Sequence, residues 1–117
     1  MYGHPDFPPG NYTFTPESVA GASNPMYKGV VCYGFDLASY AENYAGNPPL
    51  LNITWLQNAY NILGSEHEFF TSYFDKLAGT DKLRKQIEAK VPEKEIRASW
   101  KKGLAAFNKI RQQYLIY

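Results

Sequence analysis

Apolar and polar residues follow two rhythms in this chain, and the change between them falls near its middle. Tyr12-Thr13-Phe14-Thr15 alternates and is closed by Pro16, which predicts a short strand of the kind that suits a sheet edge. Val30 to Leu37 predicts the main strand. Val31, Tyr33, Phe35 and Leu37 share one face, and Val30, Cys32, Gly34 and Asp36 share the other. Gly34 in mid-strand implies a bulge or a close backbone approach. Between the strands, residues 17–28 carry breakers and read as loop. Residues 38–51 form a long loop rich in Asn, Gly and Pro, of a kind that often binds ligands.

From Asn52 the period lengthens to that of a helix. Asn52 can cap a helix running to Leu63, with Gly64 as its stop. Ser65 and Glu68 have the spacing of a capping box, opening a short helix to Phe74 that carries an aromatic cluster. Asp81 to Ala89 predicts a third helix with Leu83 and Ile87 inward. Pro92 suits the first position of a fourth, and Glu93 and Glu95 suit its positive end. Ile96, Trp100, Leu104, Phe107, Ile110 and Tyr114 then make one stripe, expected as core.

Strands first and helices afterwards predict an α+β fold, a small sheet covered by about four helices. Two strands are few for a sheet. A third is either hidden in the early loops or supplied by another domain. Residues 1–10 hold three prolines and two glycines and read as an extended entry segment, suited to a connector. The length of 117 residues fits one domain.

Composition narrows the function. Aromatic residues make up 16% of the chain, enough buriable surface to argue against disorder. The 10 tyrosines suit either a core or a sugar-binding face, where ring and hydroxyl both contribute. Net charge is +1, which supplies no field for nucleic acid or an anionic membrane. The late basic residues are interleaved with acids and read as a solvated helix face. No apolar run is long enough to span a membrane. A single cysteine, Cys32, rules out an intramolecular disulfide and leaves the redox compartment open. Cys32, His4 and His67 lack the spacing of a zinc site, and no metal or cofactor is expected.

No phosphate loop or nucleophile elbow is present, so carboxylates are the open chemical possibility. Asp36 ends the main strand, Glu42 follows in the loop, and Asp75 follows the aromatic cluster. Each also reads as an ordinary turn, loop or helix-end residue. Binding candidates are Tyr27, Lys28, Asp36, Tyr40 and Tyr44, gathered around the main strand and the loop after it. A lysine such as Lys28 would suit a lactyl or peptide carboxylate.

Phe74-Asp75-Lys76-Leu77-Ala78-Gly79-Thr80-Asp81-Lys82-Leu83-Arg84, with Gln86-Ile87-Glu88, is similar to a hallmark of one family. So are Glu95-Ile96, Ser99-Trp100, Phe107 and Arg111, and the closing Tyr114-Leu115-Ile116-Tyr117. Tyr27 to Gly34 resembles the family's K-G-x-x-C-x-G segment. The family is that of the exo-β-N-acetylmuramidases (NamZ-type), long a bacterial domain of unknown function, and the likeness runs from Phe14 to Tyr117.

The resemblance implies a C-terminal auxiliary domain. Family members place the catalytic carboxylate on a preceding Rossmann-like domain, so no catalytic residue is carried onto this chain. Phe74, Leu77, Leu83, Ile87, Trp100 and Phe107 are implied to be core and Gly79 a turn. The implied partners are that N-terminal catalytic domain and peptidoglycan fragments. The implied location is periplasmic or secreted, with any export signal outside these residues. A stand-alone carbohydrate- or protein-binding module is the alternative.

Overall fold

The structure is a computed structural model that describes residues 1–10, 12–38, 40, 51–64 and 68–116. It divides into two compact units. One comprises Met1–Asn52 with Asn61–His67, and the other Ile53–Tyr60 with Glu68–Tyr117.

The first unit holds an antiparallel sheet of three strands, β1 (Tyr2–His4), β2 (Tyr12–Phe14) and β3 (Cys32–Phe35), in the order β1-β3-β2. The third strand comes from the entry segment itself. Gly3 faces Gly34 in the β1–β3 register, and Tyr12 faces Gly34 from the other side. A side chain at Gly34 would collide with the Tyr2 carbonyl oxygen, and one at Gly3 with that of Tyr33. The close backbone approach expected at Gly34 is therefore present, and it explains why both partners are glycine.

The main strand is shorter than its hydrophobic pattern predicts. Val30 and Val31 are exposed and precede it. A turn claims those residues instead. Tyr27 and Gly29 have φ of 58° and 75°, the Gly29 amide donates to Pro16, and the Val30 amide donates to Tyr27. Phe7 and Cys32 are buried here, and Tyr2 stacks on Phe35 with ring centroids 5.1 Å apart.

Helix α1 (Thr54–Leu63) contributes to both units; α2 (Ser72–Ala78), α3 (Lys82–Glu88) and α4 (Glu93–Arg111) belong to the second. A 3-10 turn at Gln112–Tyr114 follows α4. The short aromatic helix begins later than the Ser65–Phe74 reading, because Thr71 takes the extended cap conformation and Ser72 opens the helix. Ser65 lies outside the described residues. Gly79 ends α2 in the left-handed region, φ 70°, as a helix-stopping glycine does. At the end of α3, Lys90 takes a left-handed φ of 53°. Its amide reaches the Ile87 carbonyl and the Val91 amide reaches that of Gln86, a paired cap usually built on glycine.

Ile53, Ile87 and Ile96 are the fully enclosed core of the second unit, with Leu56, Tyr60, Phe70, Leu83, Val91 and Trp100 packed around them. Five residues expected as core are exposed: Leu77, Leu104, Phe107, Ile110 and Tyr114. Leu77 is 73% exposed and Phe107 is 59% exposed. The expected core stripe of α4 stops at Trp100, because every residue from Lys101 to Ile116 is exposed.

Candidate functional site

An open cleft of about 560 Å³ lies in the first unit. Phe7, Pro8 and Pro9 form part of its lining, with Tyr12 of β2, Phe35 of β3, and Asp36 just after it. Strand pairing creates this meeting. Register sets Tyr12 opposite Gly34, next to Phe35 and Asp36 in sequence. Phe7 is held by edge contacts to Tyr2 and Phe35, with centroids 6.3 Å away in each case. The cleft thus offers aromatic rings, proline faces and the carboxylate of Asp36. Rings of this kind suit the C–H faces of a sugar, and a carboxylate accepts hydrogen bonds from its hydroxyls.

Of the residues proposed from sequence, Asp36 lines this cleft. It is exposed, and its Oδ1 accepts the Ala38 amide at 3.0 Å, which fixes the side chain in a local turn. Tyr40 accepts a hydrogen bond from the Asn52 side-chain amide at 3.0 Å. Tyr44 and Glu42 lie outside the described residues. Tyr27 and Lys28 are exposed turn residues and are not among the described residues that line the cleft.

Tyr27 has a defined role of its own. The Asp6 amide donates to His4 Nδ1 at 3.1 Å, which puts the ring proton of neutral His4 on Nε2. His4 Nε2 then donates to the Tyr27 hydroxyl at 2.6 Å, and the two rings meet edge to face at 4.8 Å. A left-handed tyrosine is costly, and these contacts are what hold it there. Lys28 continues the same turn, its amide donating to the Pro25 carbonyl.

Asp75, Asp81, Glu88 and Glu93 of the second unit are engaged in structure. Asp75 takes both prongs of Arg84 and joins α2 to α3. Glu93 accepts from the Thr54 hydroxyl and from Arg97, and these bonds hold it below the usual carboxylate range, Thr54 first. Asp81 is lowered by its bond to Lys85. Among the described residues no cluster of His, Cys, Asp and Glu could hold a metal ion.

Phe7 and Tyr12 are the residues that sequence reasoning did not single out. Phe7 sits in the segment read as a connector, and Tyr12 in the strand read only for its alternation. The one signal available was an aromatic residue set directly against Pro8-Pro9.

Residues 4–117 match the family described as exo-beta-N-acetylmuramidase NamZ, C-terminal. Over 93 residues, 78% of this chain, the sequence is 30% identical to the peptidoglycan beta-N-acetylmuramidase NamZ of Bacillus subtilis (strain 168), covering 22% of that protein. The fold superposes on a solved DUF1343 family protein from Bacteroides fragilis with a TM-score of 0.85 and 38% identity. That match takes in 99% of this chain and 33% of the other. The chain thus spans a third or less of the relatives it matches.

Proposed function

The chain belongs to the family of C-terminal domains of the exo-β-N-acetylmuramidase NamZ, and on that footing we propose that it is the auxiliary domain of a peptidoglycan-degrading muramidase. Its part is to support a catalytic domain and to contribute one wall of the glycan site, not to break the bond itself. The observation that carries this reading is the match over residues 4–117 to a domain that fills a third or less of its relatives.

The cleft of Phe7, Tyr12, Phe35 and Asp36 supports the second half of the reading. Retaining and inverting glycosidases alike need two carboxyl groups across the scissile bond. This cleft has the carboxylate of Asp36 alone among its described lining residues. It is therefore suited to holding a sugar and not to cleaving one. N-acetylmuramic acid at the non-reducing end of a peptidoglycan fragment is the ligand the family points to. Such a substrate implies a protein acting in the periplasm or outside the cell, in wall turnover.

The test is release of N-acetylmuramic acid from a wall-derived disaccharide. The longer muramidase should release it, the same protein without this domain should release it much more slowly, and the 117-residue chain should release none. Unchanged release after removal of the domain would overturn the supporting role.

A further inference from the structure

Helix α4 carries an apolar seam that leaves the core and continues into solvent. Ile96 is fully buried and Trp100 packs against the core. Beyond them the same face runs through Gly103, Phe107, Ile110 and Tyr114 in steps of three and four, which keeps them on one side of a helix. Leu104, Phe107, Ile110 and Tyr114 are nonetheless 55%, 59%, 57% and 75% exposed. One exposed leucine needs no explanation; a continuous strip of large residues does.

Gly103 adds a second, independent observation. It sits in the middle of a 19-residue helix, where glycine is a poor choice. A side chain there would meet nothing within 4 Å. No contact among the described residues therefore requires the glycine. Placed between Trp100 and Phe107, it leaves a notch in the seam that a facing group can enter.

Charge adds a third. After Glu95 the sequence has no carboxylate side chain, and Arg97, Lys101 and Arg111, each one residue after a seam position, flank the seam as cations, while Lys102 and Lys109 lie on the far side of the helix. Two copies of this helix face to face would set like charges together, which disfavours self-pairing. The matched relatives carry two thirds or more of their length outside this domain.

The geometry points to the α4 seam as the surface on which the catalytic domain of the muramidase docks, an apolar projection seated at Gly103 and carboxylates facing the cations. This rests on the muramidase reading above and names the face that reading leaves open.

Thiol labelling tests it. Cys32 is 1% exposed, so a cysteine introduced on α4 is the reactive one. Phe107→Cys and Ile110→Cys lie on the seam, and Lys109→Cys lies on the opposite side of the helix. All three should react readily in the 117-residue chain. In the longer muramidase the two seam thiols should slow by roughly tenfold or more, since labelling then requires local opening, while the Lys109→Cys thiol keeps its rate. Seam thiols that react equally fast in both proteins would overturn the docking face. So would seam thiols already protected in the isolated chain in a concentration-dependent way, which would assign the seam to a second copy. Muramic acid release by the same longer protein is read in parallel. Its absence would sink the functional reading, whereas the labelling decides the seam.

Discussion

Asp75 and Arg84 meet in a two-pronged ion pair, with Arg84 Nη2 2.9 Å from Asp75 Oδ2 and Nε 3.0 Å from Oδ1. Arg84 also reaches Glu88 one turn along α3 at 3.2 Å. Both carboxylates push the guanidinium further above its already high range, Asp75 most. A carboxylate so engaged ties α2 to α3 and is poorly placed to serve as an acid or base.

Asp75→Asn should therefore weaken the fold and leave ligand binding alone. It removes the negative charge and one good acceptor from a fixed fork. The pair is partly reached by solvent, so the effect is modest, a fall of a few degrees in melting temperature. Thermal unfolding followed by circular dichroism checks it. An unchanged melting temperature with lost glycan binding would reassign Asp75 to the site.

Glu93 predicts an acid-sensitive link. Its carboxyl is lowered from 4.5, first by the Thr54 hydroxyl and then by Arg97. A lowered carboxyl stabilises the fold fully above its unfolded value, and the contribution disappears as pH falls through the folded value. Thr54→Val should cost about half a kcal/mol at neutral pH, small because the pair is exposed to water. The gap between variant and parent should narrow below pH 4.5. Urea unfolding at the two pH values measures it, and a gap that is constant with pH would remove Glu93 from the explanation.

Gly103→Ala should stabilise the isolated chain. A methyl group there has open space around it, and alanine is favoured over glycine inside a helix by about 1 kcal/mol. A rise in the urea midpoint without a change in slope is the expected result. A fall would mean that the position is packed within the chain.

The helices of the second half could be read from sequence because their signals are local. Gly79, Pro92, Glu93 and the spacing of Ile87 and Ile96 each act within a turn or two. The strand at Tyr2–His4 could not, because a Pro- and Gly-rich segment becomes a strand only when Gly34 accepts Gly3 beside it. Val30 and Val31 have the composition of a strand, but the turn built by Tyr27 and Gly29 takes them first. The α4 stripe was legible as a stripe and not as core or surface. Periodicity reports that a face is apolar, not what covers it. Asp36 stands out in the sequence because it ends a strand; Phe7 and Tyr12 do not, because only strand pairing brings them beside it.

We propose that this domain holds glycan for chemistry performed elsewhere. One titration tests it, with the isotope-labelled chain and N-acetylmuramyl-N-acetylglucosamine, reading protein amides and sugar signals together. Localised shifts are expected at Phe7, Gly10, Tyr12 and Gly34–Asp36, with the disaccharide intact throughout. No amide shift at millimolar sugar, or appearance of free N-acetylmuramic acid in the sample, would contradict it.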